Sequence, residues 1–324
     1  MRRLMRSGLV RLSAALPKIN LTKRWETMKK LCIYHGNCAD GFGAAWAVRH
    51  ALGDDVEFHA GHYGHEAPDV TGRDVILVDF SYKLDVLQDL SFKANSILIL
   101  DHHKSAQEDL KGLEPVKEKL GYKGFFDELG PWCDSQNKPL IGALFDMDRS
   151  GAMIAWDFFH DEPAPALIQH IQDRDLWRFK LPGTKEIQAC VFSYPYDFEF
   201  WDKLMECDPA VLEREGEAIL RKHMKDVHEL INVAAHRTTI AGYDVPVMNA
   251  PYFYSSEAGN IMSEGEPFAA CYYETAKGRV YSLRSKDNGV DVSVIASLFG
   301  GGGHKNAAGF RIEFDKLNTL QDAA

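Results

Sequence analysis

The chain has 324 residues, 45% hydrophobic and 26% charged, long enough for two domains with separate cores. No apolar run approaches the ~18 residues that cross a bilayer, and the 13 prolines and 26 glycines are scattered. A membrane-spanning helix, a collagen-like repeat and a low-complexity tract are excluded. The net charge of −10 hides an asymmetry: residues 1–27 hold seven basic residues and one acid, leaving 30 basic against 46 acidic beyond them. Such an acidic body is a poor partner for long duplex DNA, whose affinity rests on neutralised phosphates. A small anion beside bound cations remains compatible with it.

The arginine-rich, serine-bearing segment 1–27 has the composition of an organelle transit peptide, and also of upstream sequence translated ahead of Met28-Lys29-Lys30. The second reading is preferred and implies a cytoplasmic protein; the first implies a mitochondrial or other organellar one. Six cysteines form no C-x-x-C pair, which favours free thiols over a zinc ribbon.

From Lys30 the pattern alternates. Strands are expected at Lys30–His35, Val56–His59, Asp74–Asp79 and Ser96–Asp101, with helices at Phe42–Ala51 and Leu84–Ala94. Alternation of this kind predicts a parallel sheet with crossover helices. Residues 112–147 lose their period and are expected as an irregular insertion or lid. Helices follow from Ser150-Gly151 to Phe159 and over Ala164–Gln172, and the charged stretch Asp208–Ala235 predicts one or two connector helices. Beyond Thr238 come a hairpin turning at Gly242, a helix near Ser256–Met262, strands at Phe268–Tyr273 and Val280–Leu283, a helix at Val292–Phe299 and a last strand at Phe310–Phe314.

The expected architecture is α/β: an N-terminal parallel-sheet domain (28–182), a linker with connector helices (183–237) and a smaller C-terminal α/β domain (238–324), with the active-site cleft between the domains. The three stronger strands end in polar clusters: His35 to Asp40, Asp79, and Asp101-His102-His103. Ligands collect beyond the carboxyl ends of parallel strands. Oxygen and imidazole donors together suit manganese, iron or zinc. Two such ions would acidify a water and clamp a phosphoryl group. Taken singly, each residue could equally be a helix or turn cap.

Four features in order resemble the DHH phosphoesterase superfamily: the His35–Asp40 loop, Val78-Asp79-Phe80, Asp101-His102-His103, and Gly301-Gly302-Gly303-His304-x-x-Ala307-Ala308-Gly309. The glycine motif resembles the DHH-associated C-terminal domain of exonucleases, nano-RNases and related phosphatases. The resemblance spans about residues 30 to 314.

It implies a manganese-dependent phosphoesterase with two ions, magnesium, iron or cobalt being alternatives. His35 and Asp40 would bind one ion, Asp79 would bridge, His102 would bind the other, and Asp173 (or Asp175) would complete the second site. His103 would contact the scissile phosphate, Asp101 would orient the imidazoles, and Arg284, Gly301, Gly302, Gly303 and His304 would hold the substrate. Most relatives carry two aspartates in the first motif; here Cys38 replaces the earlier one, leaving a weaker site, a thiolate ligand or a softer metal.

A small phosphorylated substrate or short oligonucleotide is expected. Within the hydrolases the alternatives are a cyclic dinucleotide phosphodiesterase, a bisphosphate nucleotidase and a polyphosphatase or pyrophosphatase; outside them, a nucleotide-binding module that has lost catalysis. No membrane partner is expected, and the resemblance leaves a homodimer open. His59, His62 and His65 are weaker candidates, His65 first. Trp177, Trp201 and Tyr281 are expected to pack in the core or between the domains rather than stack on bases.

Overall fold

The computed structural model describes residues 29–321; the expected leader at 1–27 lies outside them. Six parallel strands form the first sheet, in the order β2-β1-β3-β4-β6-β5. They are β1 (Lys30–His35), β2 (Val56–Gly61), β3 (Asp74–Val78), β4 (Ser96–Asp101), β5 (Glu114–Pro115) and β6 (Ile141–Phe145). The central strands read as continuous apolar runs because both faces are covered. Alternate residues divide between two cores: Cys32, Ile76, Val78, Leu98 and Leu100 enter one, while Ile33, Val75, Leu77, Ile97 and Ile99 enter the other.

The first core is closed by α1 (Ala39–Leu52), α4 (Gly151–Phe159) and α5 (Ala166–Asp175); α2 (Leu84–Ser91) covers the second, and α3 (Lys104–Asp109) follows β4. Gly43 lets α1 and α4 approach, since a Cβ there would lie 3.2 Å from that of Ala152.

Two expectations fail. Residues 112–147 are no irregular lid: they supply β6, which pairs with β4 from Ile97↔Ile141 to Asp101↔Phe145. Between β5 and β6 the chain coils through short 3-10, α and π pieces, with Phe125 and Phe126 buried in the first core. Nor is 183–212 a linker. Ile187, Cys190 and Val191 of α6 (Thr184–Val191), Trp201 and Leu204 of α7 (Phe198–Glu206), and Leu212 all belong to the first core.

The connector is one 26-residue helix, α8 (Pro209–Ala234), started by Asp208, whose side chain accepts from the Ala210 N–H. Its beginning packs on α6, and near its end Val227 joins Met248, Ala258 and Ala269 in a core of the second domain. Spanning about 39 Å at 1.5 Å per residue, it struts the two domains.

The second sheet runs β11-β12-β10-β9-β8-β7: β7 (His236–Ile240), β8 (Tyr243–Asn249), β9 (Ala269–Thr275), β10 (Gly278–Arg284), β11 (Gly302–Gly303) and β12 (Ala307–Ile312), with α9 (Ser255–Met262) and α10 (Val292–Leu298). Pairing is antiparallel except between β8 and β9. Ala241 and Gly242, both at positive φ, turn the β7–β8 hairpin where expected.

Gly216 of α8 sets the contact with α6: a Cβ there would lie 1.7 Å from the backbone oxygen of Glu186. In an exposed helix Gly→Ala gains up to ~1 kcal/mol; here the clash with backbone dominates, because overpacking costs about 1–3 kcal/mol. Gly216→Ala is therefore expected to lower the melting temperature in a thermal scan. An unchanged or raised value would refute the close packing.

Candidate metal centre

The carboxyl ends of β1, β3 and β4 converge, and two tight turns aim their side chains. After His35 the backbone passes Gly36, then Asn37 at φ 56, and enters α1 at Cys38. A Cβ at Gly41 would lie 2.3 Å from the His35 carbonyl, so glycine permits the loop to fold back on the strand. Asp40 then sits buried in the first turn of α1. Its Oδ2 and Oδ1 accept from the N–H groups of Gly151 and Ala152 at 2.6 and 3.0 Å, at the positive end of α4. Ser150 caps that helix by accepting from the Met153 N–H.

Asp79 adopts φ 53, unusual for a non-glycine residue, and its N–H donates to the Leu100 carbonyl. Its Oδ1 lies 3.1 Å from His102 Nε2 and its Oδ2 3.5 Å from His35 Nδ1. His102 Nε2 is also 3.5 Å from Asp175 Oδ2 and 3.7 Å from Asp40 Oδ2. Asp101, fully buried, braces the histidine pair: its Oδ1 accepts from the His102 and His103 N–H groups and bonds His103 Nδ1 at 2.7 Å.

Among the described residues three donor groups result, each with ligand atoms within 4.8 Å of one another: two contain carboxylates, His35, Asp79 and His103, and Asp40, His102 and Asp175, and the third is His102, His103 and His304. This differs from the expected partition. His103 joins the first group, and Asp40 sits with His102 rather than with His35.

Asp175, and not the preferred Asp173, faces the centre. Two residues apart on a helix, the pair point about 200° from each other. The Asp173 carboxylate instead accepts from the Lys180 and Leu181 N–H groups at 2.8 and 3.0 Å and from the Thr184 hydroxyl at 2.7 Å. It holds the chain reversal after α5.

The electrostatics describe a cage short of positive charge. Burial, then the neighbouring charges of Asp175 and Asp79, push Asp40 well above the usual carboxylate range. Burial opposes ionisation of Asp79 as well, yet the imidazoles of His102 and His35 hold it far below that range. Those two imidazoles are correspondingly pulled up, against burial, by the carboxylates around them. Asp79 Oδ2, Asp101 Oδ2 and His102 Nδ1 are buried without a hydrogen-bond partner among the described residues. Three clustered carboxylates with an orphaned oxygen and adjacent imidazoles fit divalent cations. Burial raises the Cys38 thiol while the contact with His35 lowers it, the net being upward. Without a cation Cys38 stands as a thiol lining the cleft.

That cleft, about 1410 Å³, lies between the domains. Its far wall is the glycine motif: Gly301, where a Cβ would lie 2.1 Å from the Gly309 carbonyl, then Gly302, Gly303 and His304. The Gly303 N–H donates to Ser105 across the cleft at 3.0 Å. The His304 ring centre lies 4.8 Å from those of His102 and His103, and burial, then those two rings, lower its pKa to about 3. Among the described residues Arg284 bonds the Ser256 hydroxyl and the Leu283 carbonyl but no carboxylate.

His62 and His65 line the cleft, and His59 does not. Trp201 and Tyr281 are buried, and both Tyr281 and Trp177 line the cleft. Sequence reasoning missed Tyr63 and Arg174. Arg174, between the two weighed aspartates, pairs with Glu257 of the other domain at 3.3 Å; its position in Asp-Arg-Asp was the available signal. Tyr63 carried none.

The DHHA1 domain family matches residues 258–324. An uncharacterised protein of Acanthamoeba polyphaga mimivirus, R106, is 30% identical over 308 residues, covering 86% of this chain; the chain spans 66% of that relative's length. Among solved structures, the DHH domain of a member of a ribosomal-protein family superposes with a TM-score of 0.56 at 13% identity, covering 91% of this chain and 85% of that one. RecJ of Thermus thermophilus in complex with Mn2+ gives 0.49 at 14% identity, over 94% of this chain and 52% of that one. Among the described residues no helix is long and apolar enough to cross a membrane.

The two aspartates of α5 should separate experimentally. Asp173→Asn removes charge-assisted bonds and is expected to cost about 2 kcal/mol of stability. Asp173 is held below its ordinary value, against burial, by the Lys180, Thr184 and Leu181 bonds. Its contribution is therefore present above the ordinary aspartate range and lost as pH falls below it. Asp175→Asn should leave metal-free stability unchanged or raised, because burial disfavours its charge, while reducing the rise in melting temperature on adding Mn2+. The opposite pattern would restore Asp173 as the ligand.

Proposed function

We propose that this chain, whose residues 258–324 match the DHHA1 domain family, is a metal-dependent phosphohydrolase of the DHH superfamily. The observation that carries this reading is the pair of adjoining carboxylate-bearing donor groups at the strand ends, faced across the cleft by Arg284, which bonds no carboxylate among the described residues, and by a glycine-lined wall. His35, Asp79 and His103 would hold one ion and Asp40, His102 and Asp175 the other. Cys38, beside His35, is the further donor that could favour a softer metal. Manganese is the proposed ion, with magnesium, iron or cobalt as alternatives. Bound there, the ions would supply Lewis acidity and lower the pKa of a coordinated water.

The protein's own groups complete the site. Asp101 fixes His103 through Nδ1, leaving Nε2 toward the cleft to ligate an ion or hydrogen-bond a phosphoryl oxygen. Asp101 itself stays ionised despite burial, held below the usual range by His103. His304, neutral at its lowered pKa, can donate to a phosphate without adding charge. Arg284 would clamp a second phosphate, and the N–H groups of the glycine wall allow its close approach.

The proposed substrate is a small phosphorylated anion, a short oligonucleotide or nucleotide. A cleft of about 1410 Å³ exceeds the ~300–1,000 Å³ of ordinary small-molecule sites and suits more than inorganic phosphate. A degenerate nucleotide-binding module is the second reading, favoured by Cys38 in place of a carboxylate. Against it stand Asp40, Asp79 and Asp175, a cluster of charge that a pure nucleotide binder would not need.

The test uses the full chain, stripped with chelator and returned to Mn2+, against a dinucleotide, a 24-mer, a 3′,5′-bisphosphorylated nucleotide, a cyclic dinucleotide and pyrophosphate. Turnover should require metal, favour the dinucleotide or bisphosphate over the 24-mer, and fall about 100- to 1000-fold in His102→Ala and Asp79→Ala, loss of a transition-state charge partner costing about 2.7–4 kcal/mol. Metal-independent turnover, or none with any substrate, would overturn the hydrolase.

A further inference from the structure

We infer that Tyr63 is a base-stacking residue, which receives the aromatic heterocycle of a nucleoside esterified to the phosphate at the metal centre. The inference deepens the proposed function and rests on it. Tyr63 lies in the four-residue turn that leaves β2, closed by the His65 N–H donating to the His62 carbonyl. The turn is braced on two sides. The His62 ring lies over Gly36, where a Cβ would come within 2.4 Å of it, so the turn docks on the loop that carries His35. Gly64, at φ 77, faces the Arg311 guanidinium of β12, which a Cβ there would meet at 3.3 Å. The tip of the turn therefore reaches the second domain.

Between these braces the Tyr63 ring is fixed by aromatic neighbours. Its centre is 4.9 Å from that of buried Phe80 at a 41° tilt, 5.5 Å from His35 at 62°, and 6.3 Å from His103 at 77°. Even with three ring neighbours the residue stays 53% exposed, and the surface left open lines the cleft. Its hydroxyl bonds no group among the described residues, so hydrogen bonding does not explain its position. An aromatic held this firmly, left uncovered and edge-on to two donors of one group has the geometry of a platform. A phosphoester at His35 and His103 places its esterified group beside this ring. Stacking suits a nucleobase of any identity, because every base presents a π-face, and is worth about 1–3 kcal/mol per base.

The test compares a dinucleotide with the same molecule made abasic at either residue, for wild type, Tyr63→Ala, Tyr63→Leu and Tyr63→Phe, with Mn2+. The readout is the ratio of kcat/KM for the base-bearing over each abasic substrate. Wild type should prefer the base at one residue by about 10- to 100-fold, the span of that stacking energy. Tyr63→Phe should keep the preference, while Tyr63→Ala and Tyr63→Leu should bring it close to one, chiefly through KM. A preference unchanged in Tyr63→Ala, or no preference in wild type, would overturn the role of Tyr63. If wild type hydrolyses neither substrate, the hydrolase reading falls instead. The same ratio taken from dissociation constants by calorimetry then decides Tyr63 by the same criterion.

Discussion

Asp79 is the point on which the other parts depend. Its carboxylate meets His102 and His35 from two neighbouring strands, while its backbone, at positive φ, remains tied to β4 through Leu100. Such a conformation costs of order 1 kcal/mol and persists only where its surroundings over-determine it. Gly151 is one of those surroundings: a Cβ would lie 2.4 Å from that of Asp79 and 2.9 Å from Asp40 Oδ2. The N-terminus of α4 can thus press against two carboxylates at once. Sheet, first helix and fourth helix meet at this spot because a negative cluster needs positive ends around it. The helix supplies partial charge and the imidazoles supply protons.

Contacts between the domains are of another kind. Lys104 pairs with Asp291 at 2.8 Å, Arg174 with Glu257 at 3.3 Å, and Ser105 bonds the Gly303 N–H. The Lys104 pair is largely exposed, and such pairs contribute roughly 0–1 kcal/mol. The apolar cores stay separate on either side of the cleft. Rigid geometry is therefore concentrated within the first domain, at the donor groups, and weak polar contacts hold the glycine wall opposite. Chain connectivity through α8 keeps the wall in reach without fixing it, an arrangement suited to a ligand that bridges both domains.

The buried strands and the polar ends they carry were legible because β-branched runs bounded by Asp and His have few other uses. β1 and β4 match their expected bounds in full. β6 was not legible: Ile-Gly-Ala-Leu-Phe sits after a segment whose helical pieces last three to seven residues, too short for a period to emerge. Its Gly142 marks close approach, since a Cβ there would lie 2.7 Å from the Val116 side chain. Choosing between Asp173 and Asp175 needed the path of the chain after α5, where Trp177 and Phe179 take positive φ and bring two N–H groups back to Asp173. Tyr63 was invisible because its neighbours, His35 at the end of β1 and Phe80 and His103 just after β3 and β4, are brought together only by the folded sheet.

Whole-chain charge and cleft charge have opposite meanings here. The chain is acidic at −10, and the acids at its centre are the donors themselves. Around them the cleft carries Lys83, Arg178, Arg284, Lys286 and Arg311, with Asp287 as the one further acid of its lining among the described residues, so the charged groups beyond the donors are mostly cations. Outside the cleft the repulsion of an acidic surface acts on every further phosphate of a long strand, and it is screened only beyond about 10 Å at 0.1 M salt. A ligand short enough to lie wholly within the cleft gains the attraction without that repulsion. Length discrimination of the proposed substrate therefore requires no steric gate. Any such discrimination should weaken as ionic strength rises.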